Sequence, residues 1–212
     1  VAVNARFLPD RRFFDVVGVL LTRALKTRYR GSVLGVFWSA VAPLGMSVVY
    51  TAIFGHTFAQ YYGGSLVAYA AAVYVGLTLI GFFVGGTTAA VPSIINNAGL
   101  LNKLRIPYEA FPLSILGAYG FQQVVGSLPL IALVSLILNR NPLHLVVLLV
   151  PLLSLGLLSI GVGFFVSALC VYFRDIPYLY ELATFGLWVM SPVFYPARIV
   201  PPAVLRIIEW NP

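Results

Sequence analysis

Charge is what this sequence has least of. Asp, Glu, Lys and Arg make up only 9% of its 212 residues, against roughly 25% in an average soluble domain. Residues 31–102 form a run of 72 positions without one of them, and the ionisable imidazole inside that run is His56. Lipid, not water, is the solvent such a stretch fits. Cysteine is missing but for Cys170, which excludes a disulfide framework within the chain, and no paired Cys or His positions suggest zinc. A phosphate-binding loop is missing too. It needs glycines ahead of a Lys-Ser/Thr pair, whereas Lys26 follows Leu25 and Lys103 follows Asn102. Within the predicted spans the ionisable residues are few, with Glu181 near an end of the last and His56 near the outer end of the first. That weighs against a proton- or sodium-coupled carrier, which needs a mid-membrane carboxylate or histidine chain. Neither a catalytic set nor a metal site is expected. Charges at Arg6, Arg11, Arg12 and Asp15 interrupt any early apolar core, so the start is not expected to be a cleaved signal peptide.

What the chain does have is apolar length. Hydrophobic residues are 60% of the total and mean hydropathy is +0.96. The expected fold is all-α, a polytopic transmembrane helix bundle with an N-terminal amphipathic interfacial helix. Residues 1–30 form a cytoplasmic lead and that helix, with Asp10 as its N-cap. Phe13, Phe14, Val17, Leu20, Leu21, Ala24 and Leu25 supply an apolar face beside a basic rim, the pattern of a helix lying in the headgroup layer; a helix packed on a soluble domain is the alternative. Residues 31–212 form the membrane domain, with spans expected at 33–58, 66–93, 111–138, 143–171 and 178–195. Gln60–Ser65 is the turn of the first hairpin, and Pro43 should kink the first span. Residues 202–210 read as a short helix at the outer surface. Seven of the thirteen Lys and Arg precede the first span, so the positive-inside rule puts the N-terminus in the cytoplasm. Gly81 and Gly85 make a GxxxG pair, fitting either intramolecular packing or a dimer contact.

Rings are the remaining resource. Phe37, Trp38, Tyr50, Phe54 and Phe58 lie along the first span, and Trp188, Phe194 and Tyr195 along the fifth. One reading is an interfacial aromatic belt. The other is a conduit whose rings stack on sugar faces and grip a long polymer without charge.

Three ordered motifs resemble the membrane subunits of bacterial ATP-binding-cassette exporters for polysaccharides, the type-2 exporters of O-antigen, teichoic acid, capsule or galactan. The first is Lys26–Trp38, containing Arg28-Tyr29-Arg30 and Leu34-Gly35, followed by Pro43-Leu44. The second is the segment from Asn97 to Pro107, with Asn97, Leu100, Lys103 and Pro107 in order. The third is Arg174-Asp175-Ile176-Pro177-Tyr178 followed by Ser191-Pro192-Val193-Phe194-Tyr195-Pro196. The terminal Asn211-Pro212 fits as well, so the resemblance covers nearly the whole chain.

The resemblance implies a homodimeric, channel-forming permease in the bacterial inner membrane, paired with a nucleotide-binding ATPase subunit that binds ATP and Mg; no cofactor is expected in this chain and no nucleic acid as partner. Residues 96–105 would be the coupling segment, with Asn97, Leu100, Lys103 and Arg105 touching the ATPase and Arg174 and Asp175 a smaller second contact. Arg28, Tyr29 and Arg30 would receive a lipid-linked glycan at the inner surface. Phe37, Trp38, Tyr50, Phe54, Trp188, Phe194 and Tyr195 would line the channel. Members of the family carry six spans, so a last span is expected beyond the residues present here. A drug or lipid exporter permease of the same superfamily, or a membrane scaffold without transport, are the competing readings.

Overall fold

A computed structural model describes residues 11–104, 106–139, 143–201 and 206. Among the described residues there is no strand; the chain is a series of helices. Four stretches are long and apolar enough to cross a bilayer: Gly35–Tyr62, Leu66–Ala90, Ala110–Leu138 and Val147–Tyr172. The protein is a multi-pass, all-α membrane protein.

Helix α1 (Arg11–Arg28) turns its half-buried residues, among them Phe13, Val17, Leu20, Leu21 and Ala24, toward α6 (Ala110–Gln122). Gly117 leaves room there for Leu21: a Cβ on that glycine would lie 2.9 Å from Leu21 Cδ1. Phe14 stays exposed, and Asp10 lies outside the described residues. Gly31, at a φ of 77°, takes the left-handed turn that ends this helix, a conformation glycine adopts without cost. A single 3₁₀ turn, Gly35–Phe37, then leads into α2 (Trp38–Phe58), which runs through Pro43 unbroken. Gly63 and Gly64, at φ values of 68° and 76°, reverse the chain. Ser65 caps α3 (Leu66–Ala90), its hydroxyl accepting from the Ala68 N–H at 3.2 Å. The hairpin therefore turns where the sequence places it.

Two single-turn helices, α4 (Ser93–Asn96) and α5 (Ala98–Leu101), form the loop at the opposite end of the bundle. The third span is α6 continued by a π-helical turn, Gln123–Ser127, in which the Leu128 N–H reaches back five residues to the Gln123 carbonyl, and then by α7 (Leu128–Asn139). Helix α8 (Leu143–Tyr172) is the fourth. Gly85 and Gly86 let α3 approach Tyr119 and Leu116 of α6, while nothing stands within 4 Å of a Cβ on Gly81. The Gly85 half of the GxxxG pair is thus an intramolecular contact.

The fifth span departs from expectation. The sequence suggests 178–195; the helix there, α9 (Ile176–Met190), has 15 residues, about 22 Å at 1.5 Å per residue and short of a hydrocarbon core of roughly 30 Å. From Ser191 the chain is non-helical, extended at Ser191 and Pro196 and bent between them, as far as a 3₁₀ turn, Ala197–Ile199. Pro192 and Pro196 cannot donate to a helix ladder, and the Phe194 carbonyl is taken by the Tyr69 hydroxyl at 2.7 Å. Helix and non-helical segment together still follow α3 along its length. Ile176 and Tyr180 pack beside Val91 at one end, and Val193 and Phe194 reach Gly76 and Tyr69 toward the other. Non-helical backbone at such depth survives only where protein satisfies it; here Tyr69 does so. The short helix expected at 202–210 lies outside the described residues apart from Arg206.

A candidate conduit and coupling end

The aromatic residues sort themselves by end. Tyr50, Phe54 and Phe58 recur every fourth residue on one face of α2. Their rings stack in succession, Tyr50–Phe54 at 6.2 Å and Phe54–Phe58 at 5.8 Å between centroids. Phe194 caps this ladder, parallel to Tyr50 at 5.2 Å and 8° and in reach of Phe54 at 6.2 Å. Trp188 (6.0 Å) and Tyr195 (5.1 Å) complete its surroundings. Tyr195 in turn donates its hydroxyl to the Met190 carbonyl at 3.1 Å, closing the end of α9. Five of the seven rings read as channel-lining thus meet in one cluster, Tyr50, Phe54, Trp188, Phe194 and Tyr195, near the hairpin end. Phe37 and Trp38 do not join them: they sit at the other end of α2, 58% and 49% exposed.

Sequence reasoning missed Tyr69. It is fully buried, meets Phe58 and Tyr62 edge-on at 6.2 and 5.6 Å, and holds the Phe194 carbonyl. No period links it to Phe194, so pattern alone could not have found it. The cluster is part core, because Tyr50, Phe54, Phe58, Tyr62 and Val193 all pack on Tyr69, Val73 and Leu77. It is part surface, because the α2 rings and Phe194 remain half-exposed.

The basic cluster read as an entrance, Arg28-Tyr29-Arg30, is built differently. The Arg28 guanidinium lies over the Tyr119 ring, 4.4 Å from its centroid, a cation–π contact. Burial lifts the Tyr29 hydroxyl above its ordinary phenolic range, with the neighbouring Arg28 charge opposing the shift. Arg30 is exposed. Between α1 and α6 lies a cavity of about 400 Å³, lined by Arg28, Tyr119 and Gln122 and also by Asn97. Arg28 and Asn97, far apart in sequence, line the same space.

Asn97 is the joint of that segment. It sits between α4 and α5, its side-chain amide donating to the Ser93 carbonyl at 2.8 Å while its own carbonyl accepts from the Leu100 and Leu101 N–H groups. Leu100 is half-buried; Lys103 is exposed, with the apolar Leu104 (55%) and Tyr108 (63%) exposed beside it. Arg105 lies outside the described residues. Arg174 and Asp175 are exposed in the turn between α8 and α9, and the Asp175 carbonyl receives the Tyr178 and Leu179 N–H groups of α9. A buried cluster of Val91, Val166 and Cys170, with Ile176 and Tyr180 against it, joins the ends of α3 and α8 to the start of α9. The two segments read as ATPase contacts therefore emerge at one end of the bundle.

A profile of the ABC-2 type transporter family matches residues 15–212. The chain belongs to that family. Among similar proteins is an O-antigen export system permease protein of Klebsiella pneumoniae, 27% identical over 201 residues that cover 94% of this chain and 76% of the relative. A protein of the same description from Myxococcus xanthus is 26% identical, covering 90% of this chain and 73% of its own length. The capsule polysaccharide export inner-membrane protein CtrC of Neisseria meningitidis serogroup B is 27% identical over 89% and 71%. As an ABC-2 permease the chain is a transport subunit.

Proposed function

We propose that the chain is the channel-forming permease of an ATP-driven exporter, moving a lipid-linked polysaccharide from the cytoplasmic to the outer face of the inner membrane. The observation that carries this reading is the match over nearly the whole chain to ABC-2 transporters, with polysaccharide-export permeases among the relatives. The physics agrees with it. The residues present here contain no phosphate loop, and on this reading the ATP and Mg belong to a separate nucleotide-binding subunit.

That subunit docks at the end that carries Asn97, Leu100, Lys103, Arg174 and Asp175, where exposed charge and exposed apolar side chains occur together. Two copies of the chain pair around the conduit, with the N-terminus in the cytoplasm and α1 in the headgroup layer. Displacing α4 and α5 would act on α6 and α1 through the cavity that Asn97 shares with Arg28. The stacked rings around Phe194 then offer sugar faces a surface near the exit.

The test is genetic and biochemical. Deleting the gene should remove the surface glycan and trap lipid-linked glycan inside, and Asn97→Ala with Lys103→Ala should lower export while the chain still reaches the membrane. Unchanged surface glycan in the deletion strain would reject the substrate. Undiminished export and ATPase co-purification in the double variant would reject the coupling role, and no co-purifying ATPase with the native chain would favour a scaffold.

A further inference from the structure

The cavity of about 400 Å³ between α1 and α6 has a lining of two kinds. Leu20 and Ala24 of α1, with Phe111 and Ile115 of α6, make part of it apolar. Arg23 and Arg28 make part of it basic; both are exposed, and no Asp or Glu lines the space among the described residues. Neither arginine has a carboxylate partner among those residues. The Tyr119 ring balances part of the Arg28 charge, but a ring face does not replace the oxygen acceptors that guanidinium N–H groups take. The site lies where membrane meets water. Arg28 precedes the first span, Ala89 is next to last in the second and Phe111 is second in the third. That third span has 29 residues, about 43 Å at 1.5 Å per residue against roughly 30 Å of hydrocarbon. Its first turns have length to spare for the headgroup layer.

We propose that this cavity binds an anionic lipid, its phosphate held by Arg23 and Arg28 and its hydrocarbon chain against Phe111 and Ile115. Basic pockets between membrane helices suit lipid headgroups, and guanidinium to phosphate is a strong, directional pairing. The two kinds of lining decide among ligands. Free phosphate would leave the apolar part wet. A neutral lipid would leave two guanidinium charges without a counter-ion, and a zwitterionic headgroup brings a cation of its own to face them. Two lipids share the chemistry that fits: an anionic phospholipid of the surrounding leaflet, and the phosphorylated carrier of a lipid-linked glycan. The proposal goes beyond the transport reading, since a phospholipid would hold the site whatever the cargo. Asn97, at the joint of α4 and α5, lines the same cavity. A filled space passes on a displacement that an empty one absorbs, so the lipid belongs to the path between that joint and α1.

Native mass spectrometry of the full chain, released from detergent micelles, tests it by counting bound lipid. Phosphatidylglycerol and farnesyl diphosphate are titrated as the two anionic lipids, with phosphatidylcholine, farnesol and inorganic pyrophosphate in parallel. The expected result is a saturable first adduct with at least one anionic lipid, about ten-fold or more tighter than with phosphatidylcholine or farnesol. Arg23→Gln/Arg28→Gln should weaken that adduct about ten-fold or more. Arg12→Gln/Lys26→Gln removes as much charge from α1 outside this cavity and should leave it within about two-fold. Arg23→Gln alone, which keeps the Arg28–Tyr119 contact, should weaken it about three-fold or more. A melting curve for each variant separates lost binding from lost fold. An adduct with phosphatidylglycerol supports a phospholipid of the leaflet; one with farnesyl diphosphate alone supports the glycan carrier and ties the cavity to the cargo. Equal affinity for the uncharged or zwitterionic lipids overturns the proposal, because charge would then play no part. Equal loss in the two double variants overturns it as well, leaving only the general attraction of a basic helix. Pyrophosphate bound as tightly as farnesyl diphosphate would also overturn it, since no chain would be recognised.

Discussion

The junction of α2 with the π turn and the cluster around Phe194 hold the same helix, near its two ends, by opposite means. At the junction everything is small. Pro43 has no N–H, so the Ser39 carbonyl, four residues earlier, loses its helical donor; the Ser127 hydroxyl replaces it at 3.0 Å. Ser39 answers by sharing its hydroxyl between the Val36 carbonyl, 2.7 Å away, and the Gln122 carbonyl, 3.2 Å away. Gly126 makes the approach possible, since a Cβ there would run into Ser39 Oγ and stand 2.9 Å from the Val36 carbonyl oxygen. Near the hairpin, large rings spread their attraction over several partners. The junction depends on exact fit, which a methyl group can destroy. The ring cluster depends on summed contact area and should lose strength in steps. In a bilayer, where apolar burial gives helices little reason to associate, close packing of small residues and hydrogen bonds are what remain.

The sharpest way to break the comparison is Gly126→Val. Overpacking costs typically 1–3 kcal/mol and sometimes more. With a backbone carbonyl and Ser39 both in the way, the expected loss is about 3 kcal/mol, read as failure to accumulate folded protein or a steep fall in melting temperature in detergent. A Gly126→Val chain as stable as the parent would show that the junction is loose. Adding Ser39→Ala should recover only part of the loss, because the Val36 carbonyl oxygen stays in place.

Phe194→Ala comes next. It removes one ring from contact with Tyr50, Phe54, Trp188 and Tyr195; at about 0.5–1.5 kcal/mol per aromatic pair, half-exposure brings the expected loss to about 2 kcal/mol. Phe194→Leu should lose about half as much, a graded response that the junction should not show. If both substitutions proved as damaging as Gly126→Val, the cluster would be a fitted lock like the junction.

How much of this could be read beforehand follows the same division. The hairpin was legible because the Gln60–Ser65 turn and the flanking charges are local signals, and Tyr50, Phe54 and Phe58 were legible because a helix fixes what every fourth residue does. Phe194 was visible only as a motif; its place in the cluster depends on a non-helical segment that no helical period describes. The length of α9 was overestimated because apolar composition continues through Ser191–Tyr195 after the helix has ended. The π turn left one trace, the polar pair Gln122-Gln123 inside an apolar run. The partnership of Ser39, Pro43 and Ser127 left none, since it joins two helices more than eighty positions apart.

The smallest expected effect is at Tyr69, and it tells most about how the two kinds of contact cooperate. Tyr69→Phe keeps the ring against Phe58 and Tyr62 but removes the hydroxyl that donates to the Phe194 carbonyl. Hydrogen bonds between membrane helices average about 0.6 kcal/mol, so melting should fall less than for either Phe194 variant. The informative measurement is the double variant with Phe194→Leu. If the ring stack positions the non-helical segment, then weakening the stack already loosens the carbonyl from Tyr69, and the two losses together will be smaller than their sum. Strict additivity would mean that the hydrogen bond and the stack hold the segment independently, with Pro192 and Pro196 stiff enough to fix its path alone.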